Sequence, residues 1–332
     1  MHKEKDRTAP DRSQGPRRPR IGLALGAGVA RGWAHIGILR ELEAAGIRID
    51  SIAGCSIGAV VGGAWAAGAL DPLEDWARSL RRVGMLRFLD LRLGGSGLFG
   101  GGKLLALMEE HFGDTDIESL PLPFTAVAAE LRTGHEIWLD RGPLAEAIRA
   151  SFSLPGAFAP TAIDGRWLAD GALVNPVPVS VCRARGADLT IAVNLGEDIY
   201  GRARAMREGR LRNGSDDEIF EEAASELLAA TPRRLLRSTR AVTHRLFAHE
   251  KDQPSLFSTM MSALTIMQNR LSRSRLAGEP PDVMITPRCG HVGLMEFHRA
   301  DELIDEGRRA FHEALPQIED ALAIIGYRMN GR

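Results

Sequence analysis

Two short apolar segments near the start of the chain each end in a glycine-rich turn, and this repeated arrangement restricts the possible folds most. The first, IGLALG from Ile21, precedes a helical pattern from about Ala30 to Ala45, with Gly46 at the position of a C-capping glycine. The second, SIAG at residues 51–54, runs into GCSIG and the small-residue segment AVVGGAWAAGAL. Such alternation of buried strands and helices predicts a parallel sheet, whose strands have their carboxyl ends at one edge. We therefore expect both turns to meet at that edge.

The rest of the chain continues this alternation. Further strands are predicted at Phe124–Glu130, Asp188–Asn194 and Asp282–Thr286, with helical patterns between them. The predicted fold is an α/β domain over residues 21–332, a three-layer α/β/α arrangement with a mostly parallel central sheet. Residues of about 200–276 are charged and helical in pattern, which predicts a helical insertion within this domain.

Charge and cysteine usage exclude several classes of protein. The formal net charge is -1, so no overall basic field predicts binding to nucleic acid. The cysteines, Cys55, Cys182 and Cys289, are scattered and odd in number, which favours a reducing, cytoplasmic location and no zinc site. No uninterrupted apolar run is long enough to span a membrane. Residues 1–20 lack the apolar core of a signal sequence, and their charge and proline content predicts a disordered basic tail.

Residues 54–58, Gly54-Cys55-Ser56-Ile57-Gly58, match the G-x-S-x-G pattern of a nucleophile elbow. In such an elbow a serine lies on a strained turn between a strand and a helix, and the glycines relieve crowding. The apolar strand before Ser56 and the alanine-rich helix after it fit that context. Ser56 is thus the predicted nucleophile, at a helix N-terminus that favours developing negative charge. A structural tight turn and a Cys55 nucleophile are the alternatives.

The first glycine-rich turn, GAGVARG at residues 26–32, is a candidate oxyanion hole. Several backbone N–H groups at the start of a helix can stabilise the negative charge that develops during acyl transfer. The alternative is a dinucleotide-binding turn, but the glycine spacing is one residue too long, and the second strand ends in GCS instead of an acidic residue. The candidate residues are Gly26, Ala27, Gly28, Val29, Arg31 and Gly32.

A third candidate is Asp170, which ends the short apolar segment WLAD and is followed by Gly171 and Ala172. An Asp-Gly pair by itself usually marks a turn. From the residues alone, a catalytic role for Asp170 stays open beside that ordinary one.

These three elements, in this order, resemble the patatin-like phospholipase family, and in particular its small bacterial members, including the RssA group. The similar stretches are GLALGAGVARGWAHIGIL, AGCSIGAVVGGAWAAG, SFSLPGAFAPTAIDGRWLADGALVNPVPV and SALTIMQNRLSRSRLAGEPPDVMITP. The resemblance implies a dyad of Ser56 as nucleophile and Asp170 as base, without a histidine. It also implies an oxyanion hole from Gly26 to Gly32 with Arg31, an acyl lipid substrate, and no metal or organic cofactor.

The implied reaction is a two-step ester hydrolysis. Asp170 takes the proton of Ser56 as the serine attacks the carbonyl, an acyl-enzyme forms, and water activated by Asp170 releases the fatty acid. Many members of the family have glycines where this chain has Ala27 and Val29. Backbone N–H groups survive those substitutions, whereas positive φ would be strained there.

Two other sets of residues are alternatives to the dyad, namely a histidine triad and a phosphate-binding loop. His291 and His298 follow Asp170 in the order of a Ser-Asp-His triad, although a serine this early in the chain does not suit an α/β-hydrolase. The segment GLFGGGKL at residues 97–104 matches a phosphate-binding loop as far as its lysine. It then has Leu104 where magnesium binding needs serine or threonine.

A basic segment, PRRLLRSTRAVTHRLFAHEK, combines arginines from Arg233 to Arg245 with apolar residues. It is equally typical of a helix on an anionic membrane surface and of an ordinary surface helix. The function predicted from the whole sequence is that of a serine-dependent lipid acyl hydrolase, with peripheral membrane contact as a further expectation. The alternative is a regulator of the same fold that binds lipid or protein without catalysis.

Overall fold

The computed structural model describes residues 18–81, 97–99, 102–198, 201, 203–204, 207–208 and 255–327. Strands and helices alternate along most of this length. The strands are β1 Ile21–Leu25, β2 Ser51–Cys55, β3 Gly97–Phe99, β4 Phe124–Glu130, β5 Glu136–Leu139, β6 Gly156–Phe158, β7 Thr161–Ile163, β8 Arg166–Asp170, β9 Leu189–Val193 and β10 Val283–Ile285. The helices are α1 Ala34–Ala44, α2 Ile57–Ala66, α3 Leu70–Ser79, α4 Gly102–Phe112, α5 Leu144–Ser151, α6 Val179–Ala184, α7 Leu256–Gly278 and α8 Ala300–Ile324.

An eight-stranded sheet forms the centre of the described part of the chain, in the order β10-β9-β1-β2-β4-β8-β7, with β5 also paired to β4. Strands β10, β9, β1, β2 and β4 are parallel to one another. Strands β5 and β8 pair antiparallel with β4, and β7 pairs antiparallel with β8. The prediction of a mostly parallel sheet is confirmed. The antiparallel edge is not apparent from the sequence, and there short turns, and not helices, join β4 to β5 and β7 to β8.

Helices cover both faces of the sheet, as a three-layer fold requires. Ile21, Leu23 and Leu25 alternate along β1 and face the larger core, which α1, α2 and α8 complete. Ala24 faces the opposite side, where it joins a smaller cluster with Ala53 of β2 and residues of α6. The small side chains on this second face let α6 pack close to the middle of the sheet.

The ends of the elements follow the sequence pattern where they are described. A short 3-10 helix, Val29–Trp33, leads into α1, and Gly46 follows α1 with a φ of 66°. Helix α7 lies within and just beyond the predicted insertion. The basic segment from Arg233 to Arg245 and residues 1–17 lie outside the described residues, so their interpretations stay predictions. Among the helices that are described, none is both long and apolar enough to cross a bilayer.

Candidate active site

The two glycine-rich turns lie side by side at the carboxyl edge of the sheet, as the sequence predicts. Leu25 of β1 pairs in register with Gly54 of β2, so the residues that follow the two strands begin at neighbouring positions. Helix α2 starts directly after Ser56. Its first turn touches the first strand, because Gly58 packs against the carbonyl groups of Leu25 and Gly26.

Ser56 has the strained backbone of a nucleophile elbow. Its φ of 56° and ψ of -124° lie in a region that residues with a side chain rarely adopt. The glycines on either side permit close packing of this turn. A Cβ on Gly54 would lie 2.5 Å from Ala59 Cα, and one on Gly58 would lie 2.2 Å from Leu25 O. The turn is thereby fixed, with Ser56 only 7% exposed.

Asp170 is the hydrogen-bond partner of Ser56. Strand β4 lies between β2 and β8, with Val127 opposite Cys55 and Ala128 opposite Asp170. The three strands thus bring Ser56 and Asp170 to the same level of the sheet edge, although 114 residues separate them in the chain. Ser56 Oγ donates a hydrogen bond to Asp170 Oδ2 at 2.6 Å.

The Asp-Gly-Ala segment itself orients the Asp170 carboxylate. Ala172 N donates to Asp170 Oδ1 at 2.8 Å, and Gly171 packs so closely on β4 that a Cβ there would lie 2.2 Å from Val127 O. Burial raises the pKa of the Asp170 carboxyl from the ordinary 3.8 to about 6, against the opposing effect of the hydrogen bonds from Ser56 and Ala172. The carboxylate is therefore a stronger base than one in water, and it is held on the serine hydroxyl.

Most N–H groups of the candidate oxyanion loop already have partners. Those of Gly26, Ala27, Ala30 and Arg31 donate to backbone carbonyls at 3.1, 2.9, 3.1 and 3.2 Å. Within the described residues, no partner is found for the N–H groups of Gly28 and Val29. These two groups are the donors that the loop can offer to a ligand.

Val29 carries strain in the same loop. Its φ of 52° lies in the left-handed region that β-branched residues avoid. Val29 is thus strained, and with Ala27 it is one of the two residues that stand where the family resemblance predicts glycine. Close packing fixes the loop nearby, because a Cβ on Gly32 would lie 2.1 Å from Cγ1 of Ile57, the residue after Ser56.

Arg31 and His35 support the loop through hydrogen bonds to carbonyl groups. Arg31 is buried, and its Nε donates to Val292 O at 2.9 Å, which ties the loop to the segment before α8. His35 Nε2 lies 2.8 Å from Gly26 O and must donate, since a carbonyl oxygen can only accept. Burial lowers the pKa of His35 from 6.5 to about 4, so its ring is neutral near pH 7. The sequence pattern did not reveal this contact.

Ser151 at the end of α5 supports the elbow, and this role was not predicted from the sequence. Ser56 N donates to Ser151 Oγ at 2.9 Å, and Ser151 Oγ donates to Val127 O at 2.6 Å. Ser151 therefore joins the elbow to β4 at the level of the dyad. Its only signal in the sequence is its position at the start of the family-like stretch SFSLPGAFAP.

Proteins of a known family are similar to this chain in sequence. A family model described as patatin-like phospholipase matches residues 23–183, which include the glycine loop, Ser56 and Asp170. A Mycobacterium tuberculosis protein with the name "uncharacterized NTE family protein" is 37% identical over 93% of this chain and 94% of its own length. The chain belongs to the patatin-like phospholipase family.

More distant similarities cover smaller parts of the proteins concerned. Neuropathy target esterase sws of Drosophila melanogaster is 33% identical over 53% of this chain, which corresponds to 13% of that protein. Among solved structures, VipD from Legionella pneumophila aligns with 90% of this chain and 67% of its own, at 14% identity and a TM-score of 0.42.

Cys55 and the glycine segment at residues 97–104 offer no second reaction centre in the described part of this patatin-like chain. Cys55 is fully buried, and burial together with the charge of Asp170 raises the pKa of its thiol well above 9.0. It therefore stays protonated and unreactive. In the segment, Gly97–Phe99 forms β3 and pairs with β6, while residues 100 and 101 lie outside the described residues.

The two candidate histidines lie in the segment before α8. His291 Nε2 lies 2.6 Å from Glu302 Oε1, and His298 lies in the 3-10 helix Phe297–Arg299. The hydroxyl of Ser56 has one proton to donate, and Asp170 accepts it. The geometry therefore favours a dyad over a triad in this family member.

A narrow cleft lies beside the glycine loop, and helix α7 forms one of its walls. Gly28 and Val29 line it on one side, and Leu154, Met261 and Leu264 line it with apolar surface on the other. The cavity volume is about 40 Å³. Gly28 and Val29 thus border a small space beneath α7.

Proposed function

We propose that this patatin-like protein is a serine-dependent lipid acyl hydrolase in which Ser56 is the nucleophile and Asp170 is the base. One observation carries the proposal, namely the 2.6 Å hydrogen bond from the strained, buried Ser56 to the buried carboxylate of Asp170. A nucleophile aligned on an oriented base in this way is the arrangement that covalent acyl transfer requires.

The reaction follows from these contacts. As Ser56 Oγ attacks the ester carbonyl, its proton passes to Asp170 Oδ2, and the carbonyl oxygen becomes an oxyanion. The N–H groups of Gly28 and Val29 stabilise that oxyanion, with the N-terminus of α2 beside them. The proton then moves to the leaving alcohol, and an acyl-enzyme is left on Ser56. Asp170 next takes a proton from water, whose attack releases the fatty acid and restores the hydroxyl of Ser56.

The proposed substrate class is supported by the family of this chain and by the side chains that line the cleft. The matched family is one of phospholipases, and the Drosophila relative has the name of an esterase. The apolar side chains at the cleft suit an acyl chain. A phospholipid, a lysophospholipid or another acyl lipid is the proposed substrate, and no metal or organic cofactor takes part in the proposed steps.

The proposal is tested by incubating purified wild-type protein with a lysophospholipid and with a p-nitrophenyl ester, beside the variant Asp170→Asn. We expect the wild type to release fatty acid and the variant to lose about 10³-fold or more in kcat/KM, because asparagine cannot accept the proton. Turnover by neither protein, with lipid bound by both, would reject the enzyme and favour the regulator. Equal turnover by both would remove Asp170 from the mechanism.

The pH dependence of hydrolysis is expected to report the ionisation of Asp170. The base acts only when it is ionised, and the pKa of its carboxyl is raised to about 6. The kcat/KM should therefore be constant above about pH 7 and should fall about tenfold per pH unit below about pH 5. Initial rates with an ester that has no titratable group measure this profile. A profile that stays flat down to about pH 4 would show that no carboxyl with this pKa is needed.

Helix α7 has an exposed apolar face, which supports the proposed contact with a lipid surface. Leu256, Ile266 and Met267 are 61%, 61% and 64% exposed, and Met260 lies one turn after Leu256. The cleft behind α7 has a volume of only about 40 Å³, far below the roughly 300 Å³ at which small-molecule sites begin. An acyl chain therefore exceeds the cleft, and a lipid surface would cover the exposed apolar side chains of α7.

The double variant Leu256→Gln/Met267→Gln is expected to bind phospholipid vesicles several-fold more weakly than the wild type. Each apolar side chain contributes about 1 to 2 kcal/mol when it leaves water, and glutamine lacks that contribution. Sedimentation with vesicles measures the bound fraction. Ile324→Gln is the matched control, because Ile324 is 85% exposed on α8 and its loss should not matter. Equal binding by all three proteins would place membrane contact elsewhere.

A further inference from the structure

A second pocket adjoins the cleft that faces the oxyanion loop. Its volume is about 340 Å³, within the usual range for small-molecule sites. Arg31, Gly196 and Asn269 line both this pocket and the cleft, so the two spaces share walls. Arg270 and Arg273 of α7 line only the second pocket. Arg270 and Arg273 therefore line a space next to the one that Gly28 and Val29 border.

The charges in this pocket do not cancel. Arg270 and Arg273 are exposed and one turn apart on one face of α7, and within the described residues neither makes an ion pair. Arg275 on the same helix differs, because it lies 3.1 Å from a carboxylate oxygen of Glu136. Among the described residues, the pocket therefore has two guanidinium groups without an ion-pair partner, in addition to the charge of the buried Arg31.

One carboxylate, that of Asp198, also lines the pocket, and both of its oxygens already accept hydrogen bonds from backbone N–H groups. Asp198 Oδ1 accepts from Gly201 N, and Asp198 Oδ2 accepts from Gly290 N, both at 2.8 Å. With Arg31, Arg270 and Arg273, the formal charge of the lining is positive even after Asp198 is counted. Such a site favours an anion, and paired guanidinium groups suit phosphate oxygens in particular.

We infer that this pocket binds the phosphate of the lipid head group while the acyl ester lies beside the glycine loop. The inference rests on the proposed function and names its substrate class, an anionic phospholipid or lysophospholipid. In such lipids the phosphate and the acyl ester are attached to one glycerol unit. Two adjoining spaces can each hold one of these groups, whereas an uncharged glyceride has no group for Arg270 and Arg273.

Substrate preference tests the inference. Wild type, Arg270→Gln/Arg273→Gln and the control Arg48→Gln are compared on hexanoyl lysophosphatidic acid and on monohexanoylglycerol. Both lipids are used as monomers, so that attraction to a charged surface plays no part. Arg48 is a suitable control because it is exposed in the turn before β2, at the opposite edge of the sheet.

The measured quantity is the ratio of kcat/KM for the two lipids. It is expected to fall roughly tenfold or more in the double variant, because each lost charge-assisted hydrogen bond contributes strongly to phosphate binding. It should stay within about twofold of wild type in Arg48→Gln, whose side chain is far from the pocket. An unchanged ratio in the double variant would overturn the inference.

A binding measurement keeps this test separate from the test of catalysis. Ser56→Ala, with and without the two arginine substitutions, is titrated with hexanoyl lysophosphatidic acid and with glycerol phosphate by calorimetry. The inference requires that the lipid binds more tightly than glycerol phosphate, and that the arginine substitutions weaken its binding roughly tenfold or more. Equal affinity for the two ligands would assign the pocket to a free phosphate compound and reject a head-group site. Binding that follows this pattern without any hydrolysis by the wild type would reject the enzyme and keep the site.

Discussion

Ser56→Ala is expected to lower kcat/KM for lipid and p-nitrophenyl esters by about 10⁴-fold or more. Alanine has no oxygen to form the acyl-enzyme, and loss of a nucleophile has effects of this size in serine hydrolases. Asp170 would also lose a hydrogen-bond donor at 2.6 Å, so we expect the free energy of unfolding to fall by about 1 to 3 kcal/mol. Initial rates, labelling by a fluorophosphonate probe and thermal unfolding measure these effects.

The variant Ser56→Gly distinguishes the loss of the nucleophile from the release of backbone strain at residue 56. Glycine also lacks the nucleophile, but it adopts a φ of 56° at little cost. This variant should be as inactive as Ser56→Ala and more stable than it. Ser119→Ala, at an exposed serine outside the site, should keep wild-type rates and labelling. If Ser56→Ala still reacts with the probe and turns over ester at a tenth of the wild-type rate or faster, another residue is the nucleophile.

Gly58→Ala is expected to lower the free energy of unfolding by about 2 to 4 kcal/mol and activity by about 10²-fold. In most helices the same change stabilises, since alanine is the better helix former by about 1 kcal/mol. Here the new methyl group would lie 2.2 Å from Leu25 O and 2.6 Å from Leu25 C, so the contact is with backbone. Helix α2 must then move away from β1 and take Ser56 with it. Urea unfolding and initial rates measure the two effects.

Gly278→Ala is the matched control for that prediction. Gly278 is the last residue of α7, and no atom lies within 4 Å of the position that a Cβ would occupy. We expect its stability and activity to equal those of the wild type within about 0.5 kcal/mol and twofold. A Gly58→Ala protein that behaves like Gly278→Ala would show that close packing of α2 on β1 does not fix the elbow.

The elbow and the glycine loop could be predicted because their signals are local. A buried strand, a glycine turn and a helix follow one another within about twenty residues around Gly26 and around Ser56. Local patterns of this kind also predicted β4, β9 and β10, with ends that differ by at most one residue from those in the structure. Asp170 was different, because an Asp-Gly pair by itself has the appearance of a turn. Only the family resemblance gave it a role.

The sequence by itself determined the class of fold, the position of the strained serine and the family. Each of these depends on neighbouring residues or on patterns of a few turns. The tertiary structure decided which groups surround the serine. Asp170 and Ser151 reach Ser56 because β8 and α5 pack on β4, and Arg31 stabilises the loop through the distant carbonyl of Val292. Contacts between residues far apart in the chain depend on strand order and helix packing, which no local pattern contains.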